Sequence, residues 1–314
     1  MIDLAWPEDT IQAKLKPKAQ RVRCGHEDGP MATLVVITDK IDQPRLDKYL
    51  LSGFFKYWEA QGHRILLQHG GSVPPGGDIA ILHVDQTLID GVFLEGLERY
   101  PVVINGAVLD ISKKRFSQQL LRPGEDYSGQ VISKTNLNSS GAPERRKRLF
   151  RLRQDKSPAG LYRLLKTKLA NHLANNEARA YRLYDSLAAV PASVWRNEDL
   201  VVEKFLPEQD EQGYYLRTWT FFGDRERCSR VRSADPIVKG RRILDRTAAP
   251  VPDELRAWRA RLKFDYGKFD FVVRDGDVIL YDVNRTPTLP GRIHDAMQES
   301  MADLAAGLES FLKR

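Results

Sequence analysis

The chain has 314 residues, 42% hydrophobic and 29% charged, an ordinary globular composition with enough length for one large or several small domains. No apolar run approaches the roughly 18 residues a membrane span needs, and Cys24 and Cys228 stand far apart outside any CxxC pair, which argues against a disulfide or zinc framework. The net charge of +7 suits phosphate or carboxylate ligands as well as nucleic acid, but no RNP, KH or zinc-finger pattern accompanies it, so nucleic acid is not the expected partner.

Residues 1–30 carry Pro7, Pro17, Gly25, Gly29 and Pro30 without a clean period and read as an arm packed on the body. The opening MIDLAWPEDTIQAKLKPKAQ lacks the basic start and apolar core of a signal peptide, so a cytoplasmic location is expected. From residue 31 to 110 the pattern is that of a parallel α/β domain. TLVVIT at 33–38 is an apolar run of the buried-strand kind, and further strands are expected at 64–67, 79–84 and 102–105. Helices are expected at 46–61, through Leu46, Leu50, Phe54 and Trp58, and at 89–100, through Val92, Leu94, Leu97 and Tyr100. Ligands of such sheets bind beyond the strand C-termini, where Asp39, Asp85, Gln86 and Asn105 stand. Turn-forming or capping duty is the alternative for those four.

The texture then changes. A basic helix carrying Lys113 and Lys114 is expected at 111–122, and QVISKT at 130–135 is a strand with one lysine, Lys134. It runs into NLNSSG at 136–141, whose small side chains would let backbone N–H groups approach phosphate oxygens. A basic and then helical insert occupies about 142–190. Its charges, from Arg145, Arg146 and Lys147 to Lys168, suit a solvated face or an anion-binding flap, and its Leu161, Leu164, Leu165, Leu169 and Leu173 are spaced for one buried face. Glu203-Lys204-Phe205-Leu206-Pro207 follows a short Val-Val strand. YYLRTWTFF at 214–222 is an aromatic strand holding Arg217 among apolar neighbours, with 227–232 as its return partner. A helix at 255–262 precedes the last hairpin, and 293–312 reads as an amphipathic helix through Ile293, Met297, Met301, Leu304, Leu308 and Phe311.

That hairpin is the stretch richest in chemistry. Runs of β-formers at 269–274 and 278–283 flank Asp275-Gly276, a dipeptide that favours a tight turn. Asp270 lies in the first strand, while Asp282 and Asn284 share one face of the second. Two carboxylates and an amide carbonyl make an oxygen-rich set suited to Mg²⁺. A surface hairpin with solvated acids is the competing reading, but these acids interrupt apolar strands.

Taken in order, these features resemble the ATP-grasp superfamily, represented by glutathione synthetase, D-alanine–D-alanine ligase and ribosomal-protein-modifying ligases. The resemblance rests on the lysine helix, Lys134 with its small-residue loop, the Glu203–Leu206 segment, the Arg217 strand and the Asp-x-Asn hairpin, over about 32–295. It implies a parallel α/β pre-ATP-grasp domain at 31–110 and a two-subdomain ATP-grasp domain at 111–314, with a nucleotide hinge at 203–207. It further implies that Glu203, Lys204, Phe205 and Leu206 hold the adenine. Lys134 and an earlier lysine, Lys114 in preference to Lys113, would contact phosphates, and the ribose acid would come from Glu208, Asp210 or Glu211. Asp270, Asp282 and Asn284 would bind two Mg²⁺ ions, with Mn²⁺ as a substitute, and Arg217, Lys268 and Arg285 would face the transferred phosphoryl group. The second metal acid is commonly Glu and here is Asp282, and the usual Asn-x-x-Pro-Gly is stretched to NRTPTLPG at 284–291.

The implied reaction activates a small-molecule or peptide carboxylate as an acyl-phosphate for attack by an amine or thiol. A phosphotransferase on the same fold is one alternative. A nucleotide-binding regulatory or RNA-associated protein without turnover is another, motivated by the basic insert. A homodimer is compatible with any of them.

Overall fold

In the computed structural model, which describes residues 32–71, 76–173, 181–239, 242–289 and 295–313, the parallel run begins where the apolar pattern begins. Strand β1 (Thr33–Thr38) is buried along almost its whole length. It is followed by α1 (Leu50–Ala60), β2 (Arg64–His69), β3 (Ile79–Leu82) and β4 (Val102–Ile104). All pairings are parallel in the order β2-β1-β3-β4. Helix α1 buries Leu50, Leu51, Phe54 and Trp58, the positions its 3.6-residue period selects. The arm at 1–30 lies outside the described residues.

The helix expected at 89–100 is instead two single 3₁₀ turns, Gly91–Phe93 and Leu97–Arg99. Gly96 between them is left-handed, with φ +80°, which ends any continuous helix there. The helix expected at 111–122 shrinks to α2 (Lys113–Phe116). Beyond it the chain is extended, and Leu120 and Leu121 are drawn into bonds with Val202 and Glu203.

Strand β5 (Val131–Thr135) is the centre of a small antiparallel sheet, flanked by β6 (Arg182–Tyr184) and β7 (Leu200–Lys204). Between β5 and β6 come α3 (Ala142–Gln154) and α4 (Pro158–Leu173), and α5 (Ala192–Trp195) precedes β7. Helix α4 packs along α3, and the face expected to be buried is open: Leu161, Leu165 and Leu169 are 56%, 57% and 60% exposed. Periodicity supplied the stripe, but among the described residues no element covers it.

The third and largest sheet is antiparallel, in the order β11-β10-β9-β12-β13 with β8 on β9. Its strands are β8 (Glu208–Asp210), β9 (Gly213–Phe222), β10 (Arg225–Ser233), β11 (Ile243–Ala248), β12 (Tyr266–Arg274) and β13 (Asp277–Asn284), with α6 (Asp253–Leu262) entering before β12. On one face Trp219, Phe221, Phe269 and Phe271 pack against Leu255 and Trp258 of α6. The other face looks toward the small sheet. The C-terminal helix is broken into α7 (Asp295–Ala306) and α8 (Glu309–Leu312) at Gly307, where a Cβ would lie 2.0 Å from the Phe222 carbonyl oxygen. Met301, Leu304, Leu308 and Phe311 join Phe54, Trp58 and Phe222 in one core, which ties the parallel sheet to the large antiparallel one. Asn105 strengthens that joint. It accepts from the Asp265 and Tyr266 amides at 3.0 and 3.1 Å and donates to Tyr266 O at 2.8 Å, a structural clamp at a position where a ligand contact was also open.

Candidate active site

The Asp275-Gly276 turn has both residues at positive φ, 52° and 92°, the geometry of a two-residue hairpin turn that matches strand twist. From it the ladder opposes Arg274 to Asp277, Val272 to Ile279 and Phe271 to Leu280. Continued unchanged, it would set Asp270 against Tyr281 and Asp282 against Phe269, with the two acids on opposite faces. The register instead shifts between Asp270 and Phe271: Tyr281 is the extra residue of a bulge, so Asp270 opposes Asp282 and Lys268 opposes Asn284. The bulge brings both acids to the cleft face, where directly opposed side chains stand about 5 Å apart at Cβ. Tyr281 itself, missed in the sequence because a bulge has no local signature, donates from its hydroxyl to Leu206 O at 2.7 Å.

Both acids are buried and each is matched to a cation. Lys113 Nζ lies 3.1 Å from Asp282 Oδ1, and Lys268 Nζ lies 3.1 Å from Asp270 Oδ2, whose Oδ1 accepts from Thr218 at 2.9 Å. Burial alone would push Asp282 up, but the charges of Lys113 and Lys134 outweigh it and hold the carboxyl below the ordinary range. Of the adjacent pair of lysines, then, Lys113 is the one that reaches the acids. Lys114 points elsewhere and donates to Glu198 O at 3.2 Å. The Asn284 side-chain oxygen accepts from Thr286 N at 2.8 Å, which fixes it at the edge of the cluster.

Lys134 on β5 bridges the two sheets. It donates to Tyr281 O at 3.0 Å on β13 and pairs with Glu203 Oε2 at 2.6 Å on β7. Glu203 is buried, and its Oε1 has no hydrogen-bond partner among the described residues. A buried carboxylate oxygen without a donor is costly, and it is suited to an N–H brought by a ligand. Lys134, Glu203, Phe205, Tyr281, Asp270 and Asp282 all line one cavity between the sheets. In the 203–207 segment, the Lys204 and Phe205 amides already donate to Gln119 O at 2.8 Å and Gln130 O at 2.9 Å, and Leu206 O accepts from Tyr281.

Two arginines expected to face a phosphoryl group are engaged otherwise. Arg217 grips Glu208 through Nε and Nη2, both at 2.9 Å, and Glu208 also accepts from Arg230 Nε at 2.7 Å and Val273 N at 2.9 Å. Burial raises Glu208, but these donors outweigh it and keep it ionised below the usual range. Asp210 accepts from the Tyr215 hydroxyl at 2.9 and 2.8 Å, and Glu211 is exposed beside it at the turn. Arg285 corrects the expectation more sharply. It is fully buried and donates to the carbonyls of Val108, of Gln86 at 2.6 Å and of Thr87 at 2.7 Å, so it ties the loop after β13 to the parallel domain. Burial brings its pKa down to about 10.

In the basic insert, Arg146 and Lys147 pair with Asp85 at 2.7 Å and Asp90 at 2.9 Å, which removes two cations from a nucleic-acid surface. No helix among the described residues is long and apolar enough to cross a membrane.

No family model matches the chain, and no curated protein matches it. Among solved structures it is similar to the D-alanine–D-alanine ligase of Bacillus anthracis, at 14% identity over 90% of this chain and 98% of that one, with a TM-score of 0.47. It is similar to the macrocyclase MdnC of Microcystis aeruginosa, solved with its precursor peptide MdnA, at 12% identity over 88% and 100% of the two chains, TM-score 0.45. It is also similar to a RimK domain ATP-grasp protein of Sphaerobacter thermophilus, at 12% identity over 90% and 100%, TM-score 0.45. A parallel α/β sheet followed by two antiparallel sheets with a cleft between them is the mixed architecture that the ATP-grasp resemblance implies.

Proposed function

We propose that the chain is an ATP- and Mg²⁺-dependent ligase that activates a carboxylate as an acyl-phosphate and joins it to an amine. The observation that carries this reading is the bulged hairpin. It places Asp270 and Asp282 on one buried face, among Lys113, Lys134 and Lys268, in the same cavity as the orphaned Glu203 oxygen. Hard carboxylate and amide oxygens at Asp270, Asp282 and Asn284 fit Mg²⁺, and Mn²⁺ by the same chemistry. When bound there, the metal would supply charge neutralisation for the nucleotide phosphates.

The protein's own residues have definite parts in this scheme. Glu203 Oε1 accepts an N–H of the base, and Phe205 packs against it. Lys134 exchanges Glu203 and the Tyr281 carbonyl for phosphate oxygens, and Lys268 places a cation beside the transferred group. A substrate carboxylate oxygen attacks the γ-phosphorus and ADP departs. The amine nitrogen then attacks the acyl carbon, the C–O bond to phosphate breaks, and phosphate leaves with the proton the nitrogen gives up. No Ser, Cys or His nucleophile is required.

The test is ADP and phosphate release from ATP with pooled carboxylic acids and amines. Turnover in the wild type that is retained in full by Asp270→Asn/Asn284→Ala would remove the metal assignment. A stable phosphorylated product without a condensed one would make the protein a phosphotransferase.

A further inference from the structure

Beyond the C-terminal ends of β1 and β3 lies a second polar cluster that the phosphoryl chemistry does not use. Asp39, Asp42 and Asp85 are all buried there. The Tyr49 hydroxyl donates to Asp85 at 2.9 Å and contacts Asp42 at 3.2 Å, and Gln86 Nε2 donates to Asp39 at 2.6 Å. The cluster adjoins the candidate metal hairpin: Thr286 Oγ1 lies 3.2 Å from Asp85 Oδ1 and 3.3 Å from Asn284 Oδ1. The small-residue loop closes another side, with Asn138 Nδ2 at 3.4 Å from Asp85 and Asn138 N donating to Thr87 Oγ1 at 2.8 Å.

Three buried carboxylates share one ion-paired cation among the described residues. Asp42 and Asn138 are each only 1% exposed, yet Asp42 Oδ2 and Asn138 Oδ1 have no partner among the described residues, nor has Glu144 Oε2 nearby. The cation that reaches the carboxylates is Arg146 from α3, at 2.7 Å from Asp85 and 3.5 Å from Asp42. Its fit is incomplete, since its Nε also lacks a partner among the described residues and its side chain is about a quarter exposed, at 26%. Arg285 gives its bonds to backbone carbonyls, and Lys147 is held by Gln86 Oε1 at 2.8 Å and Asp90 at 2.9 Å. Burial, and then the Asp85 charge, push Asp42 up to about 6 even with Arg146 in place.

We infer that this cluster is a substrate subsite for a cationic group, an ammonium or guanidinium, and that Arg146 occupies it until such a substrate displaces it. The inference rests on the ligase reading only for calling the ligand a substrate. Withdrawing Arg146 strands two buried carboxylates, Asp42 and Asp85, so an exchange for another cation is nearly balanced, whereas a neutral isostere or an anion leaves them unpaired. The group seated there now, Arg146, is itself a guanidinium, so a guanidinium is the better fit of the two. The attacking amine must be neutral, so the seated cation is a different group of the substrate.

The test is calorimetric titration of the full chain with butylguanidinium, its neutral isostere N-butylurea, and pentanoate, with and without AMP-PCP and Mg²⁺. Butylguanidinium should bind at least ten-fold more tightly than the other two. Arg146→Ala should tighten its binding at least ten-fold, and butylguanidinium should restore thermal stability lost by that variant. Asp85→Asn, or Asp42→Asn if the former fails to fold, should erase the preference. Equal binding of N-butylurea, preference for pentanoate, or no gain in affinity from Arg146→Ala would overturn the inference. The AMP-PCP arm separates the two claims. A cation preference without nucleotide binding removes the ligase reading and leaves the seat, and nucleotide binding without the preference does the reverse.

Discussion

Removing the Asp282 side chain should destabilise the protein by leaving Lys113 charged and buried. The pair is 3.1 Å apart, with side-chain exposures of 3% for Lys113 and 10% for Asp282. Lys113 has one other near acceptor, Leu137 O, at the long distance of 3.5 Å. Breaking one side of such a buried pair costs about 3–5 kcal/mol, whereas replacing both members with apolar groups is far milder. Asp282→Ala should therefore lose about 3 kcal/mol or more in metal-free urea denaturation. Lys113→Met/Asp282→Ala should recover much of it, giving a coupling of about 2 kcal/mol. The effect also has a pH sign. Asp282 is held below its ordinary value of 3.8, so the stability it provides is present above that value and disappears as pH falls through the folded value. The loss in Asp282→Ala should thus shrink on acidification below about pH 4. A single-variant loss below about 1 kcal/mol, or strictly additive variants, would refute the idea that the acid face is a dry, charge-balanced site.

Arg285→Leu should cost more than about 3 kcal/mol in the same assay, because three buried carbonyls lose their donor at about 1–3 kcal/mol each; a near-neutral change would return Arg285 to the list of phosphoryl-facing cations. Asp42 carries the opposite pH sign to Asp282. Burial and Asp85 raise it from 3.8 to about 6, so the folded state holds its proton more tightly, and its contribution to stability declines as pH rises between those values. Asp42→Asn should gain stability relative to wild type on going from pH 4 to pH 7, by up to about 3 kcal/mol. Urea midpoints that keep the same difference at both pH values would contradict it.

What the sequence made legible was local. TLVVIT, the α1 period and the Asp275-Gly276 turn each depend on a few neighbouring residues; the strand and the turn form where expected, and the helix starts at Leu50 rather than Leu46, after an extended Tyr49. What it hid was relational. Whether Asp270 and Asp282 share a face depends on a one-residue bulge, and a plain hairpin register would have separated them. The leucine stripe of α4 was visible, but its exposure depends on which elements lie near it. Lys113 and Lys114 are adjacent and chemically identical, and only the orientation of a single helical turn sends one to Asp282 and the other to Glu198. Arg285 read as an active-site cation because it follows Asn284. Its role was set by three carbonyls from distant loops, none of them readable in its own neighbourhood. The acidic cluster around Asp42 likewise required Tyr49, Asp85, Asn138 and Arg146 to converge from four separate segments.

On the proposed reading, the face shared by Asp270 and Asp282 binds a metal–nucleotide complex. Calorimetric titration with AMP-PNP, with and without Mg²⁺, on wild type and on Asp270→Asn/Asp282→Asn tests it most directly. The account predicts saturable binding that requires Mg²⁺ and weakens at least ten-fold in the double variant. Binding that is indifferent to Mg²⁺, or unchanged when both carboxylates are removed, would contradict it.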